Sequence, residues 1–412
     1  MKKKINHILP ALVLTASLGL TTVSCNGFLD EMPDNRTELN TDQKIAKLLV
    51  SAYADVSPNE LFELYSDNSD DSGPTYGYYK LSEQECYHWQ DTKEEYQDTP
   101  NSLWGGYYSA IAAANMALNA IEEKGNPASL DPQRGEALVC RAYCHFMLAN
   151  IFCNAYDTHA SQSLGVPYME EVETTVSPRY ERGTLEEVYR KVERDLLEGI
   201  DLISDDSYSV PKYHFTRKAA YAFAARFYLY YMKPDFSNCD RVIDFATRVL
   251  GTNPADLLRN WEALGNLSVN GNVQADAYIA SSNEANLLIS STVSNWGAIG
   301  SDYLIGPRYF HNQTLATSET CLSSGLWGSS DYFYLKPFST NGFVASILRK
   351  SGLYEGTYLY YMPVLFSTDE TLLCRAEAYA LKKMYAQSAA DITSWQRAYT
   401  RNKSVLTPEQ IN

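Results

Sequence analysis

Two amphipathic helices joined by a short break, between residues 103 and 156, constrain the fold of this chain more than any other feature. In the first helix the apolar side chains recur at spacings of four and three residues, so they share one helical face. Gly125, Asn126 and Pro127 end this helix, because proline disfavours helical angles in the residue before it. The second helix is predicted to begin near Pro132. The two stripes consist of Tyr107, Ile111, Ala114, Leu118 and Ile121, then Ala137, Arg141, Cys144, Leu148, Ala149 and Phe152.

A pair of helices like this cannot bury its apolar face alone, so it needs neighbours built on the same plan. Helix-start patterns further along the chain indicate such neighbours. Thr184 with Glu187, and Ser367 with Glu370, have the spacing of a capping box, in which each side chain bonds the backbone amide of the other residue. Thr216 is predicted to cap an alanine-rich helix.

Three segments have an arginine followed by aromatic or small side chains, and we interpret them as variants of one packing element. They are Arg141-Ala142-Tyr143, Arg226-Phe227-Tyr228 and Arg375-Ala376-Glu377-Ala378-Tyr379. Helix pairs of this kind resemble tetratricopeptide repeats, which stack into a superhelix. The predicted fold class is therefore mainly α, with tetratricopeptide-like helical hairpins forming a superhelical scaffold beside a loop-rich irregular lobe.

Two regions do not follow the helical period. Residues 67–100 are acidic and aromatic, and residues 251–366 are rich in Gly, Ser and Asn, with one apolar run from Ala285 to Ser291 that has the length of a strand. The helical scaffold is therefore assigned to about residues 41–250 and 367–412. Residues 251–366 are assigned to a ligand-binding insertion, because long loops held by a rigid scaffold are where binding residues collect.

The N-terminus has the pattern of a targeting segment. Lys2, Lys3 and Lys4 precede an apolar run from Ile8 to Leu20, which is too short to span a bilayer. A small-residue cleavage site then ends in Cys25. Residues 1–24 are interpreted as a lipoprotein signal peptide, Cys25 as the lipidated first residue, and residues 25–412 as a single domain. Ordinary secretion without a lipid is the alternative.

The composition argues against several classes of function. The net charge of −16 argues against a nucleic-acid partner, because neutralising phosphates requires a basic patch. The sequence has no G-x-S-x-G, H-E-x-x-H, P-loop or dinucleotide-binding motif, so no catalytic residue or cofactor is assigned. Cys140, Cys144 and His145 lack the spacing of metal ligands and are interpreted as packing residues, with no metal site predicted.

Several of these segments resemble one known family. The start of the mature chain, Cys25-Asn26-Gly27-Phe28-Leu29-Asp30-Glu31-Met32-Pro33, resembles the mature N-terminus of SusD/RagB outer-membrane lipoproteins. Trp104 to Asn115 resembles the W-x-x-x-Y-x-x-I-x-x-x-N helix of that family, and Glu136-Ala137 with Arg141-Ala142 resembles its E-A-x-x-x-R-A motif. The resemblance extends to Arg375-Ala376-Glu377-Ala378 and covers most of the chain.

The resemblance implies a surface-exposed outer-membrane lipoprotein that binds oligosaccharides and delivers them to a SusC-like TonB-dependent transporter. It also leaves a peptide ligand open, as in the RagB branch. From the residues alone, a helical-repeat scaffold for protein–protein interaction and a glycoside hydrolase remain alternatives. Members of the family commonly extend well past the R-A-E-A helix, so the C-terminal part of this chain is expected to be missing or short.

Aromatic side chains in the two irregular regions are the candidate ligand-binding residues. A sugar presents apolar C–H faces with a rim of hydroxyls, so it prefers a flat ring edged by polar groups. Asp71 and Asn295 are close enough in sequence to supply such an edge. Burial against the scaffold is the alternative for each tryptophan. The candidates are Trp89, Trp296 and Trp327, supported by Tyr76, Tyr332 and Asp71.

Overall fold

The structure, a computed structural model, divides the chain into a unit of residues 1–40 and a unit of residues 41–412. It describes residues 39–67, 69–75, 80–95, 97–175, 178–268, 273–294, 308–310, 334, 352–355 and 358–412. Cys25 and the predicted signal peptide lie outside these residues. Among the described helices, none combines the length and the apolar composition needed to cross a bilayer.

The described chain is mainly helical, which confirms the predicted fold class. The long helices pack against their neighbours in sequence, and the second-to-last helix also packs on two helices in the middle of the scaffold. In chain order the helices are α1 (Asp42–Leu48), α2 (Asn59–Leu64), α3 (Leu81–Tyr87), α4 (Pro100–Glu123), α5 (Asp131–Phe152), α6 (Leu185–Leu202), α7 (Arg217–Tyr230), α8 (Cys239–Leu250), α9 (Trp261–Gly265), α10 (Val273–Ile279), α11 (Thr368–Leu381) and α12 (Tyr385–Tyr399).

Two predicted helix starts are confirmed by their hydrogen bonds. Thr184 and Glu187 form the complete capping box at the start of α6. At the start of α7, the Thr216 hydroxyl accepts the Ala219 amide at 3.2 Å. Each cap satisfies amides that have no partner inside the helix, which fixes where the helix begins.

Helices α5 and α6 approach closely where two glycines face each other. A Cβ added at Gly199 would lie 2.7 Å from the carbonyl oxygen of Gly135, and one added at Gly135 would lie 2.8 Å from the carbonyl oxygen of Gly199. No side chain larger than hydrogen fits at such a distance from a backbone oxygen. Next to this contact the core is aromatic, with Phe146 of α5 packed on Phe223 and Phe227 of α7.

Two of the three repeated arginines join neighbouring helices through buried ion pairs. Arg141 of α5 donates to Asp195 of α6 at 2.6 Å. Arg375 of α11 donates from two nitrogens to Asp391 of α12, at 2.8 Å each. A charge buried in this way is tolerated only when it is paired, so these contacts fix how the helices of a hairpin are aligned.

The third arginine departs from this pattern and corrects one prediction. Arg226 of α7 pairs with Glu370 at the start of α11 rather than with the next helix in sequence. Ser367 accepts the Glu370 amide at 3.2 Å, but the Glu370 carboxylate bonds Arg226 and does not return to the backbone. The predicted capping box of Ser367 and Glu370 is therefore only half formed, because the tertiary ion pair takes the carboxylate.

Short strands form three small antiparallel sheets, in the orders β1-β4, β2-β7 and β3-β6-β5. The run from Ala285 to Ser291 is confirmed as a strand over Asn286–Ile289. The two irregular regions contain more structure than the sequence indicated, including α3, α9 and α10, since elements of two to seven residues are too short to show a period. The strands are β1 (Asp70–Asp71), β2 (Asn286–Ile289), β3 (Thr292–Val293), β4 (Tyr309–Phe310), β5 (Gly352–Glu355), β6 (Tyr358–Tyr361) and β7 (Val364–Ser367).

The polar residues in the middle of α4 and α5 have structural partners. The Asn115 amide donates to the carbonyls of Met169 and Glu171 at 3.1 and 3.3 Å. His145 accepts the Met169 amide at 2.9 Å, and burial lowers the pKa of its imidazole to about 3. Cys140 and Cys144 are buried thiols, and no cluster suited to a metal ion occurs among the described residues. Asn115 and His145 thus hold the segment after α5 against the scaffold.

Candidate functional site

An open cleft of about 670 Å³ lies between the α2–α3 segment and the helices α5, α7 and α11. We call it the outer cleft. Three of its aromatic side chains, Phe62, Trp89 and Tyr230, have large exposed surfaces. Its polar lining includes Asn150, Arg226 and Glu370. A concave surface that combines exposed aromatic rings with a few polar groups has the general character of a ligand site.

Trp89 is the most exposed large apolar side chain in the described part of the chain, at 72%. It lies just beyond α3, where the Gln90 amide donates to the Glu85 carbonyl at 2.8 Å and closes the helix end. Its φ of 56° lies in the left-handed region, which is usually occupied by glycine at this position and costs roughly 1–2 kcal/mol for other residues. Strain retained at an exposed, bulky side chain is typical of functional positions.

The indole of Trp89 stacks on the ring of Tyr65, which ends α2. The ring centroids are 4.5 Å apart and the planes differ by 16°. Tyr65 therefore supports one face of the indole, while most of the remaining surface is exposed to the outer cleft. A flat aromatic ring held in this way can stack on the apolar face of a ligand.

Asp71, a predicted ligand contact, forms an ion pair with Arg308. Two nitrogens of Arg308 donate to the two carboxylate oxygens at 2.6 and 2.7 Å, and these hydrogen bonds lower the pKa of Asp71. The next residue, Tyr309, packs on Tyr87 at the end of α3, with ring centroids 4.8 Å apart. Asp71 thus helps to hold strand β4 against the helix that carries Trp89.

Buried charged groups connect α2 to α3 beside the outer cleft. Lys80 Nζ lies 3.7 Å from Glu60 of α2 and 3.8 Å from Glu83 of α3. Burial, and then the neighbouring Asp98, raise the pKa of Glu60 well above its usual value. These contacts join the start of α2 to the start of α3, and so help to position the two short helices that end beside Tyr65 and Trp89.

Arg226 and Glu370 form the charged part of the lining. Arg226 Nε and Nη2 donate to the two Glu370 oxygens at 2.5 and 2.6 Å, and the guanidinium lies 4.0 Å from the centre of the Phe366 ring. Burial disfavours the charge of Arg226, but Glu370 outweighs this effect and the pKa is raised. The Glu370 side chain remains 36% exposed, so its carboxylate can accept hydrogen bonds from a ligand.

Of the predicted ligand residues, the structure places Trp89 in the cleft and Asp71 in the contacts that support it. Trp296, Trp327, Tyr76 and Tyr332 lie outside the described residues, as does Asn295. These positions stay predictions.

Sequence reasoning missed the cleft residues on the scaffold helices. On α2 the apolar side chains of Leu61 and Leu64 are buried, whereas Phe62 between them is exposed. An aromatic residue outside the buried positions of a helix was a usable signal for an exposed ring. Arg226 was assigned to packing because its segment matched the repeated arginine pattern, and Tyr230, four residues further along α7, was not singled out. Nothing in the local sequence indicates that α7 and α11 meet beside α3.

The chain matches a known family in sequence over its first half. The sequence model of a SusD-like family, described as starch-binding and associating with outer membrane, matches residues 27–229. None of the curated proteins matches the chain.

Solved structures of similar fold cover most of the chain. A SusD superfamily protein from Bacteroides vulgatus is 17% identical, with 90% of this chain and 82% of that protein covered and a TM-score of 0.60. A SusD superfamily protein from Bacteroides fragilis is 15% identical, with 90% and 83% covered and a TM-score of 0.63. A SusD-like carbohydrate-binding protein from Bacteroides vulgatus is 14% identical, with 90% and 78% covered and a TM-score of 0.63.

The helical hairpins, the family match and the fold of these proteins agree with one another. Residues 27–229 of the chain belong to the SusD-like family.

Proposed function

We propose that the outer cleft binds an oligosaccharide, with one sugar ring stacked on Trp89. The observation that carries this proposal is the exposed indole of Trp89, supported from behind by Tyr65 at 4.5 Å. Phe62 and Tyr230 provide further exposed aromatic surface in the same cleft. Trp296, Trp327, Tyr76 and Tyr332 are proposed to extend this surface.

The polar lining suits the hydroxyl rim of a sugar. The exposed carboxylate of Glu370 accepts hydrogen bonds from hydroxyls, and the Asn150 carboxamide, whose nitrogen donates to the Phe146 carbonyl at 2.7 Å, has an oxygen that can do the same. The description of the family as starch-binding supports a carbohydrate over the peptide expected for the RagB branch.

The proposed role is binding without hydrolysis. A glycoside hydrolase requires two carboxyl groups on either side of the bond that is cleaved. Among the described residues that line the outer cleft, Glu370 supplies the single carboxylate, and Arg226 already holds it in an ion pair.

We propose further that Cys25 carries a lipid anchor and that the protein, exposed on the outer membrane, delivers its ligand to a SusC-like TonB-dependent transporter. The description of the family as associating with outer membrane supports this location. A lipid anchor raises the local concentration of the two partners, and stacked helical hairpins offer a broad contact surface.

The ligand proposal is tested by calorimetry on residues 25–412 with neutral oligosaccharides, including α-linked glucose oligomers. Trp89→Ala is expected to weaken binding by about 1 kcal/mol or more, several-fold in affinity, because a stacking surface is lost. Its melting temperature should not fall, since Trp89 is exposed. Trp395→Ala is the matched control, because Trp395 also stacks on a tyrosine, Tyr399, at 4.8 Å and 11°, but lines no part of the outer cleft.

Unchanged affinity of the Trp89→Ala variant would remove the outer cleft as the binding site. A parent protein that retains members of a peptide pool but no oligosaccharide would instead identify a RagB-type function.

A further inference from the structure

A second cavity of about 320 Å³ lies deeper in the protein, between the scaffold helices and the strands β2, β6 and β7. We call it the inner cavity. Phe62, Met147, Arg226 and Glu370 line both this cavity and the outer cleft. These four side chains therefore form the boundary between the two spaces, and a ligand in one can contact the same groups as a ligand in the other.

Two hydroxyl groups on the wall of the inner cavity, carried by residues that are otherwise buried, have no hydrogen-bond partner among the described residues. Tyr107 of α4 is 2% exposed and Ser290, which follows β2, is 6% exposed. Neither hydroxyl oxygen is a fully buried atom without a partner, so both are open to the cavity and can donate to or accept from a ligand there. The cavity is far larger than the space one water molecule requires.

Other hydroxyls on the wall are occupied by contacts within the protein. The Tyr53 hydroxyl donates to Glu136 at 2.6 Å and accepts the Phe215 amide at 2.7 Å. Tyr361 accepts a hydrogen bond from Asn59 at 3.2 Å. The Tyr143 hydroxyl bonds Arg226. The available hydroxyls on the wall are thus those of Tyr107 and Ser290, together with that of Tyr278.

The rest of the wall is apolar or carries no net charge. The rings of Phe62, Tyr107 and Tyr143 provide flat apolar surface. The one cation and the one anion on the wall, among the described residues, are Arg226 and Glu370, which neutralise each other. An uncompensated charge brought into such a space would lose its hydration without gaining a counter-ion.

We propose that the inner cavity is a second binding site, which takes one neutral sugar residue at the end of an oligosaccharide whose other residues lie in the outer cleft. The apolar rings face the C–H surfaces of the sugar, and the Tyr107 and Ser290 hydroxyls bond its hydroxyl groups. The choice of a sugar rests on the proposed function, whereas the position of the site rests on the two hydroxyls and the shared boundary.

The test compares Tyr107→Phe and Ser290→Ala with the parent, using calorimetry with neutral oligosaccharides of increasing length and the same series ending in a uronic acid. Each variant is expected to bind the neutral oligosaccharides roughly two- to tenfold more weakly, the effect of one hydrogen bond. Neither should melt earlier than the parent, because the deleted hydroxyl has no partner in the described protein. The uronic-acid series should bind the parent at least roughly tenfold more weakly than the neutral series.

Tyr228→Phe is the control, because the Tyr228 hydroxyl bonds Glu193 and Arg241 and lines neither space. If Trp89→Ala loses affinity while Tyr107→Phe and Ser290→Ala bind as the parent does, the inner site is refuted and the proposed function stands. If Tyr107→Phe and Ser290→Ala lose affinity while Trp89→Ala binds as the parent does, the inner site is supported and the outer one is refuted. If the parent binds no carbohydrate of either series, both proposals fail.

Discussion

Arg226 of α7 and Glu370 at the start of α11 are joined by two parallel hydrogen bonds, 2.5 and 2.6 Å long, across 144 residues of sequence. The pair lies on the boundary between the outer cleft and the inner cavity. It fixes the distance between two helices that are not neighbours in the chain, and it leaves both spaces without net charge from these two groups.

The Arg226–Glu370 pair should therefore contribute to folding. In a double-mutant cycle of Arg226→Met and Glu370→Gln, we expect a coupling energy of roughly 0.5–3 kcal/mol in urea unfolding. The exposed pair of Arg248 and Asp244, 2.9 Å apart on α8, is the comparison and should give at most about 0.5 kcal/mol. Equal coupling in the two cycles would contradict a structural role for the first pair.

The left-handed backbone at Trp89 predicts an unusual order of stability. Trp89→Gly should be more stable than Trp89→Ala by roughly 0.5–1 kcal/mol, because glycine adopts a positive φ without strain. At Trp395, inside α12, the order should reverse, since glycine weakens a helix interior by about 1 kcal/mol relative to alanine. Thermal or urea unfolding of the four variants measures both differences. The same order at both positions would argue against the backbone conformation at Trp89.

The raised pKa of Glu60 predicts a dependence of stability on pH. Burial and Asp98 favour the protonated carboxyl, so the folded-state pKa lies above the unfolded one and stability is lost as pH rises through it. Glu60→Gln mimics the protonated form. Its melting temperature relative to the parent should increase from about pH 4 to about pH 9.

Glu187 provides a control of opposite sign for this measurement. Its hydrogen bonds to Thr184 lower its pKa, so its contribution is lost as pH falls and Glu187→Gln should differ most from the parent at neutral pH. A Glu60→Gln difference that stays constant over the whole range would show that Glu60 ionises normally.

The glycine contact between α5 and α6 predicts a large effect of one methyl group. Gly199→Ala should destabilise the protein by roughly 1–3 kcal/mol, because its Cβ would lie 2.7 Å from the Gly135 oxygen and the helices would have to separate. Gly105→Ala on exposed α4, where nothing lies within 4 Å of the added Cβ, should gain roughly 0.5–1 kcal/mol. Urea unfolding compares the two. Similar values for both would mean that α5 and α6 do not touch at this point.

The proposed lipid anchor predicts that membrane association depends on Cys25. Cys25→Ser should abolish labelling with a radioactive fatty acid, because the thiol that carries the lipid is lost. The variant should then appear in the soluble periplasmic fraction, since stable anchoring needs the acyl chains at this residue. The experiment uses a strain without the transporter, so that the partner cannot retain the variant. Continued recovery of Cys25→Ser in outer membranes of that strain would exclude the lipid as the anchor.

The sequence by itself determined the helices and their caps. The apolar stripes of α4 and α5 and the caps at Thr184 and Thr216 are local properties, set by spacings of three or four residues, and the structure confirms them. Trp89 was singled out from sequence because it lies in an acidic and aromatic segment that does not follow the helical period.

Only the tertiary structure decided the outer cleft and the inner cavity. Arg226 and Glu370 meet because α11 closes onto α7 after an excursion of more than a hundred residues, and no local pattern records that contact. The same physics explains the incorrect capping box, since the Glu370 carboxylate gains more from a guanidinium in a partly buried site than from one backbone amide. Local spacing specifies the helices, whereas burial and charge pairing between distant residues specify the site.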